Sequence, residues 1–344
     1  PYTNPTWRDG QSPTMNRLGI GVVARDRDGE PIKETYKGRS GYVVSPHAPA
    51  VIARQDQTRD EFTAIVPSDF LFEDQIGARQ KPNYDGNPAA TSPTGYTQGM
   101  VNLARRSAQR LPIMTEGGFD RLSWHESGFC NSLRIGWHGW SEDIFDPYPL
   151  VPLWAHEYLY FNAHNLAGHV MSNDLPALTY FVSMGYALSH DLYTLDLAWL
   201  KLLDKFQKHL IAPWMGGGMT AFEELPTPGR TRTTFGEGTI VTANRTASPM
   251  ARGSHVIAPH GFVAEKNGVV TGGVLLSLNG QPLAGTAPHY LILARDAQRI
   301  RIYQPRGDDG PLTIQRPASW RDEQRGRAAM VLESAARPPR PVTV

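Results

Sequence analysis

Two acidic residues close short apolar runs: Asp74 ends Asp69-Phe70-Leu71-Phe72-Glu73-Asp74, and Glu116 ends Pro112-Ile113-Met114-Thr115-Glu116. Each run reads as a buried strand, and Gly117-Gly118 stops the second. A pair of carboxylates at neighbouring strand ends can break a glycosidic bond. One, ionised, attacks the sugar, while the other carries a raised pKa and protonates the leaving oxygen. Adjacent strands lie about 4.8 Å apart, compatible with the separation of about 5–5.5 Å that a retaining mechanism needs. Neighbours on a strand point to opposite sides, so Glu73 competes with Asp74 for the position that faces the substrate. A single strand-end acid more often caps a helix or pairs with an arginine such as Arg79 or Arg121. Two in consecutive units favour chemistry.

Aromatic residues gather in the same stretches: Trp7, Phe119, Trp124, Phe129, Trp137, Trp140 and Tyr148. Sugar rings stack their C–H faces on such side chains, while polar groups take the hydroxyls. Trp124-His125 and Trp137-His138 offer that mixture, against the plainer alternative of loop aromatics packing on one another. The opening Tyr2-Thr3-Asn4-Pro5-Thr6-Trp7 reads as an active-site loop. Tyr2, Asn4 and Trp7 are therefore expected to bind substrate, together with His47, Gln75, Arg79, Arg121, Trp124, His125, Trp137 and His138.

The elements that must position these residues follow a βα rhythm. Gly41 to Val44 reads as a strand, Val51 to Phe62 as a helix, and Asp69 to Asp74 as the next strand. Ser92-Pro93 supplies an N-cap with proline behind it. Tyr96, Met100, Leu103, Ala104, Ala108 and Leu111 then recur on one helical face. Ala155 to Val170 reads as helical, Tyr180 to Ala187 as a strand, and Leu192 to Leu210 as a further helix. Such repeats make parallel sheets, and no GxGxxG follows a strand, so a barrel is preferred to a dinucleotide-binding sheet.

Beyond residue 216 short strand-like runs alternate with Gly, Pro and Asn: 239–243, 254–257, 261–264, 269–276, 290–294 and 300–303. The expected architecture is a (β/α)8-type barrel over 1–215, an antiparallel β-sandwich over 216–336, and a Pro/Arg-rich surface tail over 337–344. Only five or six βα units fit before residue 216, fewer than eight. The barrel is therefore expected to lack its N-terminal part, which a separate segment could supply.

The remaining composition excludes several classes. The chain has 34 basic and 33 acidic residues among 344, well mixed, with no basic stripe for nucleic acid. No apolar run reaches the ~18 residues of a membrane span. Cys130 is the single cysteine, which rules out an intrachain disulfide and a cysteine-based zinc site. HExxH would need histidine at 160, where Tyr160 stands, so His156, Glu157, His164 and His169 do not make that motif; no metal or cofactor is expected. No GxSxG is present, and Ser189-His190-Asp191 are too close in sequence to converge as a triad. The chain starts at Pro1 with no signal region in view, and its localisation is left open.

PYTNPTW, GYVVSP, DFLFEDQIGAR and LPIMTEGGFDRL resemble barrel segments of large bacterial glycoside hydrolases related to the endo- and exo-α-N-acetylgalactosaminidases and their uncharacterised neighbours. VPLWAHEYLYFNAHNLAGHV, VSMGYALSHDL and the region from FGEGTIVTANRT to VIAPHGFVAEKNGVV are similar to their last barrel strands and C-terminal sandwich. The resemblance implies a retaining glycosidase acting on an α-linked glycan, with Asp74 as nucleophile and Glu116 as acid/base. The alternative function is a non-catalytic carbohydrate-binding or scaffold fragment of such an enzyme.

Overall fold

A computed structural model describes residues 2–78, 83–84, 91–130, 148–162, 174–190, 196–283, 287–295, 299–304, 329–334 and 337–342. The chain divides into two compact units, Pro1–Ser132 and Leu133–Val344. Arg79, Trp137, His138, Trp140, His164 and His169 lie outside the described residues.

The first unit contains strands β1 (Tyr2–Thr3) and β2 (Trp7–Asp9), helix α1 (Pro13–Leu18), strands β3 (Lys33–Tyr36) and β4 (Arg39–Val43), and helix α2 (Pro49–Ile65). Strand β5 (Leu71–Glu73), helix α3 (Pro93–Ala108), and strands β6 (Ile113–Glu116) and β7 (Gly128–Cys130) follow. Strands β1, β5, β6 and β7 form a parallel array in that order. Helix α3 forms where its cap predicts: Ser92 Oγ accepts the Gly95 N–H at 3.0 Å. Its stripe of Tyr96, Met100, Leu103 and Ala104 buries against Leu71, Ile76 and Ile113 of the sheet side.

One expectation is corrected here. The strand of the first βα unit is not Gly41–Val44; the short β1 takes that place beside β5, with Thr3 opposite Glu73. Strand β4 instead joins β2 and β3 in a separate antiparallel sheet. Apolar alternation marks a strand but not its partner, and β1 is too short to show any period.

In the second unit the helices Leu175–Ser183, Leu197–Phe206 and Ala212–Met215 pack on a large sheet that begins at Met219. Phe206 lies against Phe262, and Trp214 stacks on Phe235 at 5.1 Å between ring centroids. The strands Thr239–Asn244, His255–Ile257, Phe262–Lys266, Val269–Leu278, His289–Arg295 and Arg299–Gln304 fall on the six expected runs. They pair antiparallel, and two of the hairpins close through Asn-Gly. Asn267 and Gly268, like Asn279 and Gly280, all have positive φ, as a two-residue primed turn requires.

Two assignments in this unit change. Tyr180–Ala187 is not a strand: Leu175–Ser183 is a helix, capped by Asp174 Oδ1 on the Ala177 N–H at 3.0 Å. A short apolar run buried all round has no period to distinguish helix from strand, and the cap decides it. Within the span read as helix from Ala155 to Val170, Tyr160–Asn162 is a strand. The Pro/Arg-rich tail is ordered as strand Arg337–Val342, antiparallel to Ala329–Ser334. No described helix is long and apolar enough to cross a membrane.

Candidate active site

The parallel register brings the two carboxylates together. Phe72 pairs with Met114 and Glu73 with Thr115, so the next residues in register are Asp74 and Glu116. Glu116 in turn pairs with Cys130 on β7. Side-chain alternation separates two faces. Leu71 and Glu73 turn toward the helices and are fully buried. Asp74, Glu116 and Cys130 share the opposite face at the carboxyl ends of β5, β6 and β7. Burial, reinforced by the charges of Glu116 and Asp74, pushes the Cys130 thiol up to about 12, so both carboxylates lie close to it.

Glu73, the rival to Asp74, is tied to the helix layer. Its Oε1 accepts from Gln55 Nε2 at 2.6 Å on α2 and from Ser107 Oγ at 2.7 Å on α3. Burial raises its pKa to about 7 against the opposing pull of those two hydrogen bonds. Asp74 is only half-buried. Asn4, just past the end of β1, donates Nδ2–H to Asp74 Oδ2 at 2.8 Å and to Gln75 Oε1 at 3.1 Å. Its own Oδ1 accepts from the backbone N–H groups of Thr6 and Trp7, both at 3.0 Å, so the amide cannot swivel. Gln75 stands at φ 64, a left-handed conformation that turns the chain sharply after Asp74. Of the residues expected to bind substrate, Asn4 and Gln75 are thus joined to Asp74. Tyr2 lies on the neighbouring strand β1.

The others are placed as follows. Trp7 donates Nε1–H to the Glu34 carbonyl at 3.3 Å and meets Tyr36 edge-on. His47 Nε2 lies 2.9 Å from the Gly95 carbonyl, in the first turn of α3. Arg121, Trp124 and His125 occupy the loop between Glu116 and β7, where Trp124 is 82% exposed. Burial, then the charge of Arg105, lowers the His125 pKa. In the second unit His156 is buried among Phe161 and Phe235, with Nε2 2.9 Å from the Gly185 carbonyl. Among the described residues no group of His, Cys, Asp and Glu could hold a metal ion.

Sequence reasoning missed the support behind Glu116. Thr115 Oγ1 lies 2.6 Å from the Gly117 carbonyl and 2.7 Å from Glu126 Oε2. A hydroxyl has one proton, and a carbonyl only accepts. Both contacts are hydrogen bonds when Glu126 is a neutral acid that donates to Thr115, which then donates to Gly117. Glu126 is buried, and burial raises its pKa to about 8 despite the Thr115 bond. The WHES stretch showed an acid, but nothing in its neighbours betrayed that it folds back eleven residues onto the TEGG turn.

No family model matches the chain, and no curated protein does. Likeness is found among solved structures. The α-N-acetylgalactosaminidase NagBb from Bifidobacterium bifidum, in its GalNAc complex, aligns with a TM-score of 0.54 at 15% identity, over 70% of this chain and 40% of that one. Its ligand-free form gives the same figures. A sulfoquinovosidase from E. rectale, in complex with an aza-sugar inhibitor, aligns at 10% identity over 70% of this chain and 43% of that one, with a TM-score of 0.47. Over the aligned part the chain therefore shares the fold of NagBb, and it spans about 40% of that chain's length.

Proposed function

We propose that the chain carries the catalytic carboxylates of a retaining glycoside hydrolase built on a (β/α) barrel, and that its substrate is an α-linked glycan. The observation that carries this reading is the register that sets Asp74 beside Glu116 on one face, at the ends of adjacent parallel strands. In such barrels chemistry belongs at the carboxyl ends of the strands. Strand spacing of about 4.8 Å suits the short separation of the retaining geometry.

Asp74, oriented by Asn4, is the nucleophile: its oxygen bonds to the anomeric carbon as the bond to the leaving oxygen breaks. Glu116 gives that oxygen its proton. As a carboxylate it then takes a proton from water, which attacks the anomeric carbon and releases Asp74. The hold of Gln55 and Ser107 on the Glu73 carboxyl supports giving the first role to Asp74 rather than to Glu73. Gln75, Arg121, Trp124 and His125 are proposed to bind the sugar around this pair. The α linkage and a glycan partner rest on the sequence resemblance and on the fold shared with NagBb.

The test is hydrolysis of a panel of 4-nitrophenyl α-glycosides, including the N-acetylgalactosaminide and the galactoside, with the product anomer followed by NMR. Asp74→Asn should reduce turnover at least a thousandfold, and a mechanism-based glycosyl inhibitor should label Asp74. Labelling of Glu73 refutes the assignment.

A second reading has one observation in its favour: among the described residues β1 is the end strand of its parallel array, pairing only with β5. On that reading this polypeptide binds glycans without cleaving them unless a separate segment completes the sheet. Glycan binding that persists in an Asp74→Asn, Glu116→Gln double variant, with no turnover in the parent, would support it.

A further inference from the structure

A cavity of about 340 Å³ opens in the first unit between β2 and α2; Thr3, Asn4 and Gln55 line it on the side of the candidate site, whereas neither Asp74 nor Glu116 does. Two guanidinium groups share its wall, Arg8 from β2 and Arg54 from α2. Arg8 donates to the Trp7 carbonyl at 3.1 Å, but its buried Nε–H has no partner. Among the described residues no carboxylate lies within ion-pair distance of it. Burial, with the charge of Arg54 added, lowers its pKa to about 10. Arg54 reaches Glu61 at 3.4 Å, and its Nε–H is also buried without a partner. Asp9 lines the cavity too, but its carboxylate is engaged by Arg39 at 3.0 Å and by the Gln11 N–H at 2.9 Å. Two cations therefore face one space: among the described residues Arg8 has no counter-charge, Arg54 has only the long contact to Glu61, and the carboxylate on the wall, Asp9, is held by Arg39.

Burying a cation without a counter-charge is costly, and paired guanidinium forks are suited to the oxygens of carboxylate, sulfate or phosphate. The rest of the wall describes the remainder of the ligand. Ser12, Thr14 and Thr58 offer hydroxyls, and Trp7 and Phe62 offer apolar surface. The volume is too large for a lone ion and falls at the small end of sites for organic ligands. We propose that this cavity binds an anionic molecule of monosaccharide size, its carboxylate, sulfate or phosphate held by Arg8 and Arg54. The site does not depend on the glycosidase reading.

Isothermal titration and thermal-shift measurements on the full chain, at fixed ionic strength, test it with four probes: glucuronate, glucose 6-phosphate, inorganic phosphate and neutral glucose. At least one anionic sugar should bind saturably at one site and raise Tm, while glucose does neither. Arg8→Gln should weaken that binding by roughly tenfold or more, the cost of one charge-assisted contact. Arg54→Gln, on the more accessible side chain, serves if Arg8→Gln does not fold. Inorganic phosphate that binds as tightly as the sugar phosphate overturns the monosaccharide-sized ligand. The site itself is overturned if no anion exceeds sodium chloride in effect, or if both arginine variants bind as the parent does.

Discussion

Glu126 lies behind the turn that follows Glu116, and it titrates where many hydrolases work. As an acid it completes the chain from Glu126 to Thr115 to the Gly117 carbonyl. Once ionised it accepts, so the Thr115 proton turns toward it and the Gly117 carbonyl loses its donor. Gly117 sits at φ 68, so the turn depends on contacts of this kind to hold its shape. Glutamine mimics the neutral acid, with an N–H in place of the O–H. If the chain hydrolyses glycosides, Glu126→Gln should keep kcat within roughly threefold and remove the alkaline fall in activity centred near pH 8. Glu126→Ala should lower kcat at every pH. A glutamine variant as impaired as the alanine one, with the same pH profile as the parent, would falsify the positioning role.

The loops after β5 and β6 meet backbone to backbone. A Cβ on Gly77 would fall 1.9 Å from the Gly117 carbonyl oxygen, so the two turns holding the carboxylates are in contact only because residue 77 lacks a side chain. Gly77→Ala should destabilise the fold by about 1–3 kcal/mol, as overpacking does. If the chain hydrolyses glycosides, the variant should also lower turnover beyond what partial unfolding explains, read by urea denaturation alongside kinetics. An unchanged urea midpoint would mean that the loops separate freely. Elements of this kind were partly legible. Helix α3 announced itself through Ser92-Pro93 and an apolar stripe, and the strands beyond residue 216 through short runs broken by Gly, Pro and Asn. Helix α2 showed less, because its buried positions include Gln55 and Arg59, polar side chains whose burial follows from Glu73 and Asp56 rather than from any period. Strand β1 and the Thr115–Glu126 link were invisible for the same reason. Each exists through a partner distant in sequence, and pattern reading senses only neighbours.

At the scale of the whole molecule, the sequence pointed to the neighbourhood of Asp74 and Glu116, because strand-end position is local. The residue pattern by itself left Glu73 as a rival to Asp74, which only the family resemblance favoured, because facing depends on which side the helices cover. That choice also sets how the protein responds to pH. Glu73 and Glu126 have folded pKa values raised from 4.5 to about 7 and about 8, both through burial. Between pH 4.5 and 8 these two groups therefore hold more protons in the fold than in the unfolded chain. Stability from these two groups is fully present below pH 4.5 and is lost as pH rises through 7 and 8. Where both are neutral in the fold and ionised in the coil, the limiting slope is about 2.7 kcal/mol per pH unit, at one proton each. Asp9, bonded by the Gln11 N–H and Arg39, has a lowered pKa. Asp56 has one too, because Arg106 and Arg59 outweigh its burial; both therefore contribute stability that is lost at the acid end. Burial lowers the pKa of His125, His156 and His255, so their stabilisation is lost as pH falls below 6.5 and opposes the two glutamates there; the decline due to Glu73 and Glu126 should therefore show cleanly above pH 6.5. Denaturant titrations from pH 6.5 to 9 should show stability falling until about pH 8, and a Glu73→Gln, Glu126→Gln double variant should flatten that fall. If the parent gains stability from pH 6.5 to 8, both carboxyls are ionised in the fold. The Thr115 proton would then belong to Glu126, and Glu73 would have to find its counter-charge in Arg59.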